Sequence, residues 1–230
     1  MPNITEFIYF QPRSSVKPED PSSDEGAALI QVFKATTSQS GHLGSAWGRT
    51  KEDDNVIVWA IDWSDAHSGI QQSNSPLHPF LEPNTQITTI FTTLQPTDDE
   101  NSPATKTLLS NPITELAPLP FPTSISPSDR SKLSADLVAF RKASAEEVEE
   151  KVRSKTFLVG QVERPGEFPH EKSESGQAFV QFLVVGWESY EQHQEARGVE
   201  VFSKKIAPIR ERMVPPLERL GMKHVKFQKV

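Results

Sequence analysis

The sequence contains no cysteine. That excludes disulfide cross-links, thiolate nucleophiles and cysteine-ligated metal or iron–sulfur centres. No stretch approaches the roughly 20 consecutive apolar residues that a membrane-crossing helix needs. The opening MPNITEFIYFQPRSS lacks a basic leader ahead of a long apolar core. It reads as a strand of mature protein, and a cytoplasmic location is expected. Positive charge is scarce in one half: residues 1–125 carry 15 acids against 6 bases, residues 126–230 carry 16 against 18. Neither half has the basic stripe of a phosphate-backbone binder, so no nucleic-acid partner is expected. There is no phosphate-cradling glycine loop, no Gly-x-Ser-x-Gly elbow and no dinucleotide fingerprint. Their absence argues against a serine hydrolase and against a flavin or nicotinamide enzyme. No cofactor is expected, and no metal: His67, His78 and Asp62 do not have a recognised zinc spacing.

What the chain does have is a pattern used twice. Residues Asn55 to Gln72 read NVIVWAIDWSDAHSGIQQ, and Ala178 to Arg197 read AFVQFLVVGWESYEQHQEAR. Each is an apolar strand that ends in a tryptophan, Trp63 or Trp187, and runs straight into a polar helix start. An internal repeat constrains a fold more than any single residue does.

The first half reads as strand Ile4–Phe10, a helix from about Glu25 to Thr37, strands Gly44–Lys51 and Asn55–Trp63, a helix capped by Ser64, and strand Thr85–Leu94. This is β-α-β-β-α-β, the split-βαβ unit. Residues 96–126 are proline-rich and read as a linker with room for an edge strand at Ile113–Leu119. Ser126-Pro127-Ser128-Asp129 starts a helix. Strands Thr156–Arg164 and Phe179–Trp187, a helix from Ser189, an amphipathic run segmented by Pro208 and Pro215-Pro216, and a last strand Met222–Val230 complete a second unit. The organisation is thus residues 1–95, linker 96–126, and residues 127–230.

Both tryptophan-ended strands are apolar on two faces. Phe179, Leu183, Val185 and Trp187 alternate with Val180, Phe182, Val184 and Gly186; Ile57, Trp59, Ile61 and Trp63 alternate with Val56, Val58 and Ala60. A sheet with one solvated face would alternate apolar with polar. Each unit has helices for one face only, so the other unit's sheet must cover the second. Leaving such a face in water would forgo about 1.5–3 kcal/mol per large side chain. The expected fold is α+β: tandem ferredoxin-like repeats forming an intramolecular α/β barrel.

The stretch VVGWESYEQHQEAR followed by FSKKIAPI resembles the dimeric α/β-barrel superfamily, in its antibiotic-biosynthesis-monooxygenase-like branch. The matching residues are Gly186, Trp187, Ser189 and His193, and the resemblance covers residues 156–230. In residues 1–95, Asp62-Trp63-Ser64 fits the strand end and His67 stands two residues early. The chain looks like a fused two-repeat version, a form common among fungal proteins of this superfamily. That implies a pocket between sheet and helices in each repeat. It does not fix an activity, because the superfamily spans cofactor-free oxygenases, polyketide cyclases, haem-binding enzymes and stress-response proteins.

The candidate catalytic groups are His193, on the helix after Trp187, and Asp62 and His67 in the first repeat. A histidine there suits proton abstraction from a phenol or an activated carbon. A carboxylate at the end of a buried strand has a raised proton affinity, or it caps the following helix. Trp187, Trp63 and Trp59 are candidate walls for an aromatic ligand, or core. Tyr9, Thr88 and Thr92 are polar groups on apolar strands that could orient a substrate oxygen, and Arg49 could hold an anion. The expected function is a cofactor-independent enzyme of specialised metabolism, an oxygenase or a cyclase or lyase. It would act on a small aromatic or polyketide-like molecule, as a monomer (pseudo-dimer) or a homodimer. The alternative is a non-catalytic ligand-binding or stress-response barrel.

Overall fold

The computed structural model describes residues 3–65, 74–95 and 102–230. Strand β1 is Ile4–Phe10, β2 His42–Arg49, β3 Ile57–Trp63, β4 Thr88–Thr92, β5 Ile113–Pro122, β6 Thr156–Arg164, β7 Phe168–Pro169, β8 Gln177–Trp187, β9 Lys223–Val225 and β10 Gln228–Lys229. The helices are α1 Asp24–Thr36, α2 Ala104–Ser110, α3 Pro127–Lys142, α4 Tyr190–Gly198 and α5 Glu200–Arg210. Serines open three of them. Ser23, Ser126 and Ser189 accept from the amides of Gly26, Asp129 and Gln192, satisfying donors that a helix start leaves free. The helix expected after Ser64 falls within residues 66–73, outside the described residues, as does His67.

One antiparallel sheet runs β10-β2-β3-β1-β4-β6-β8-β5-β9, with β7 added to β8. It is curled, and the segment after α5 brings its ends together. β9 pairs with β5 through Thr114–Leu116, and β10 pairs with Ala46 and Trp47 of β2. Between these pairings Val225 bridges to Thr50, and the Lys51 amide donates to the His224 carbonyl at 2.8 Å. The β4–β6 junction is held by Thr92, whose hydroxyl donates to the Gln161 carbonyl at 3.0 Å. Gly160 is required there, because a Cβ would stand 2.3 Å from the Thr93 carbonyl oxygen.

The two-faced strands bury both faces. Val58, Ala60, Val180, Phe182 and Val184 share one inner cluster with Phe7, Tyr9 and Leu116, so the inner surfaces of the two halves cover each other. Ile57, Trp59, Ile61 and Trp63 face α1 through Leu29 and Phe33. Phe179, Leu183, Val185 and Trp187 face α3, α4 and α5. The result is an α+β molecule with a curled antiparallel sheet and helices outside it, consistent with a ferredoxin-like fold.

The stretch expected to be a linker carries α2 and β5 instead. β5 is no edge: β8 pairs with it from Ile113 to Pro122 and β9 covers its beginning. Proline is tolerated because Pro118, Pro120 and Pro122 fall on alternate residues, whose backbone groups point away from β8. The Pro120 carbonyl, facing that way, accepts from the Val214 amide at 3.0 Å.

Candidate active site

Beneath α4 and α5, against β5, β6 and β8, lies a cavity of about 240 Å³. Its walls are chiefly apolar, with Phe140, Phe157, Phe202 and Trp187 prominent. Glu115 enters it from β5 and His193 from α4, both buried. The Trp187 indole donates to Glu115 Oε2 at 3.0 Å, and its ring stacks on His193 with centroids 4.8 Å apart.

From Glu115 a file of titratable groups leads outward. His193 Nε2 lies 3.4 Å from Glu115 Oε2. That is long for a hydrogen bond, and such contacts tighten when a ligand docks. His193 Nδ1 meets His224 Nε2 at 2.7 Å. His224 Nδ1 meets Glu52 Oε1 at 2.5 Å, and the His224 amide donates to Glu52 Oε2 at 2.9 Å. The side chain of His224 is fully buried, whereas that of Glu52 is 28 % exposed, so the file ends at solvent. Tyr190 packs edge-on against His224, and the Lys51 ammonium covers the Tyr190 ring at 4.9 Å.

Burial sets the proton affinities. It pushes the Glu115 carboxyl above its ordinary 4.5, against the opposing pull of the Trp187 indole, His224, Arg197 and Arg210. It also pushes His193 down to about 3, helped by the charges of His224 and Arg197. For Glu52 burial acts upward, but the combined hydrogen bonds and charge of His224 bring the carboxyl below its usual range. The tautomers follow from the partners. With Glu115 protonated, its O–H points to His193 Nε2, His193 Nδ1–H to His224 Nε2, and His224 Nδ1–H to the Glu52 carboxylate. Moving the Glu115 proton outward along the file reverses the first two bonds and leaves His224 doubly protonated beside Glu52. Both arrangements hold the same number of protons, which is the property a relay needs.

Among the described residues, Glu115, His193 and His224 are the set whose potential ligand atoms lie within 4.8 Å of one another. The 2.7 Å approach of the two imidazoles directs Nδ1 of one at Nε2 of the other, so those nitrogens serve each other rather than a shared ion. A haem does not fit these residues either: His193 spends Nδ1 on His224 and turns Nε2 toward Glu115, leaving neither ring nitrogen free as an axial ligand.

The other residues singled out in the sequence lie elsewhere. Asp62, fully buried, accepts from the Thr5 hydroxyl at 2.6 Å and from the Thr105 amide at 2.7 Å. It therefore caps α2, and burial raises its proton affinity against those bonds. Trp63 donates to Glu6 Oε2 at 2.9 Å, and Trp59 donates to Ser45 at 2.7 Å while packing on Phe33 of α1. Arg49 pairs with Glu19 at 3.0 Å. Tyr9 and Thr88 border a separate, more polar depression of about 410 Å³, with Glu218, Arg219 and Lys223 across from them. Thr92 stays in the β4–β6 seam.

Glu115, His224 and Glu52 do not stand out in the sequence. One mark could have found Glu115. Ile113-Thr114-Glu115 repeats Ile4-Thr5-Glu6, and the strands align so that Ile4 faces Trp63 as Ile113 faces Trp187. Each glutamate then takes the indole proton of its own strand-end tryptophan.

No protein-family model matches the chain, and no curated protein matches it in sequence. Solved structures do resemble it. An anthrone oxidase-like protein aligns over 100% of this chain and 94% of its own, with a TM-score of 0.57 and 10% identity. A provisionally assigned monooxygenase from Lactobacillus acidophilus NCFM covers 99% and 94%, at 0.55 and 8%. Chlorite dismutase from Candidatus Nitrospira defluvii, in complex with imidazole, covers 97% and 90%, at 0.53 and 10%. The fold is ferredoxin-like, as in these structures. At these identities the likeness is one of backbone alone, and chemistry must be argued from the cavity.

Proposed function

We propose that the chain is a tandem of two βαββαβ units closed into a barrel, and that its second unit is a cofactor-independent enzyme acting on a small aromatic or polyketide-like molecule. The matching strand orders β2-β3-β1-β4 and β6-β8-β5-β9 support the duplication. One observation carries the activity: a buried carboxyl on the wall of an apolar cavity, Glu115, is connected to solvent through His193, His224 and Glu52.

The shared first step is removal of a proton from an acidic C–H or phenolic O–H. Glu115 in its ionised arrangement, with the proton parked on His224, is the base. The apolar walls exclude water and strengthen the attraction between the carboxylate and the departing proton. Trp187 fixes the carboxylate, and once Glu115 holds the substrate's proton, His224 releases the parked one through Glu52 to solvent. The resulting substrate anion then follows its own chemistry, capture of dioxygen or ring closure, which is why oxygenase and cyclase or lyase remain one proposal at this site.

The first probe is 2-tetralone, a two-ring ketone with an acidic methylene, and proton loss is read as deuterium exchange at that methylene by NMR. Wild type accelerates exchange. Glu115→Gln, which keeps an acceptor for Trp187, loses at least about a hundredfold. Glu52→Gln keeps chemistry but shifts the pH profile. Exchange by Glu115→Gln at the wild-type rate would remove the assignment.

A further inference from the structure

This inference rests on the cavity's being the substrate pocket, and it concerns what enters. Two cations border an otherwise apolar space. Arg197 stands in the last turn of α4, and Arg210 is the last residue of α5; both line the cavity and both are exposed at its mouth. Neither has an ion-pair partner among the described residues, and Arg197 reaches only Gln194 Oε1, at 3.5 Å. By contrast Arg13, Arg49 and Arg212 are paired with Glu25, Glu19 and Asp136. Both guanidiniums are near enough to the interior to lower the proton affinity of Glu115 and of His193.

The space between mouth and Glu115 sets the ligand's body. Phe140, Phe157, Phe202 and Met213 offer it no hydrogen bond, so the middle of the ligand must be apolar. A volume of about 240 Å³ falls below the roughly 300–1,000 Å³ of pockets for drug-sized molecules, so the body is one or two rings. An anionic group cannot sit at the inner end, beside Glu115, without a large desolvation cost. At the mouth it meets two planar donors suited to a carboxylate.

We propose that the cavity takes a mono- or bicyclic carboxylic acid, its carboxylate bound by Arg197 and Arg210 at the mouth and its reactive carbon or oxygen delivered to Glu115. The guanidiniums orient the substrate and select acids over neutral analogues, and Glu115 does the chemistry.

Isothermal titration with 2-naphthoate and with methyl 2-naphthoate tests this. The acid binds at least about tenfold more tightly than the ester, and its affinity falls with added salt. Arg197→Gln and Arg210→Gln each weaken the acid by about tenfold and leave the ester unchanged. Thermal melts confirm that the variants fold. Equal affinity for acid and ester, or variants that bind the acid as wild type does, would overturn the acid preference and leave the cavity reading standing. Binding of neither compound would overturn both.

Discussion

Glu6 and Glu115 hold the same place in two strands and accept from matching tryptophans, yet only Glu115 opens onto the file of histidines. Burial pushes Glu6 up to about 7, against the pull of the Trp63 indole and Arg164. Because the folded carboxyl binds its proton more tightly than the unfolded one, the contribution to stability is complete below pH 4.5 and is lost as pH rises to about 7. The loss is on the order of 3 kcal/mol. Glu6→Gln should therefore melt at a higher temperature than wild type at pH 8 and near it at pH 4. His193, held down at about 3, runs the other way: its contribution is present above pH 6.5 and fades as pH falls. His193 was legible because it follows Trp187 on a capped helix. Glu52 and His224 were not, since 172 residues separate them and only folding brings them together.

At the level of elements, apolar periodicity carried the reading far. Strand Thr156–Arg164 is as expected, and the two faces of β3 and β8 divide between inner and outer clusters as their alternation requires. Proline obscured β5, because its rule concerns backbone donors and the sequence does not say which side of a strand needs them. α2 was missed for a different reason. It is short and lacks a capping side chain of its own. Its first-turn amide is satisfied by Asp62 from β3. Asp62→Ala should cost about 2–4 kcal/mol in urea unfolding, through the lost cap and the orphaned Thr5 hydroxyl. Glycine gives a paired test. A Cβ on Gly186 would stand 2.2 Å from Asn111 Oδ1, whereas one on Gly198, in α4, meets nothing within 4 Å. Gly186→Ala should destabilise by about 2 kcal/mol or more, and Gly198→Ala should be neutral or stabilise by up to about 1 kcal/mol.

Across the whole molecule, β9 and β10 fasten β5 to β2 and also carry His224 to its partners. Gly48 makes room for that strap: a Cβ there would lie 2.4 Å from the Lys226 carbonyl oxygen and 2.7 Å from Val225 Cγ1. Gly48→Val should displace the strap. Amide exchange at Lys51, which donates to the His224 carbonyl, should quicken, and proton abstraction should show a pH profile close to that of Glu52→Gln. Wild-type protection at Lys51 in that variant would separate closure from the relay.

The file from Glu115 to Glu52 begins on β5 in one half of the chain, crosses the strap, and finishes in the β2–β3 turn in the other. Neither portion of the gene is then free to drift alone. A replacement for the stretch carrying β2 and β3, however well it packed, would arrive without Glu52, and the cavity would keep its walls but lose its link to solvent.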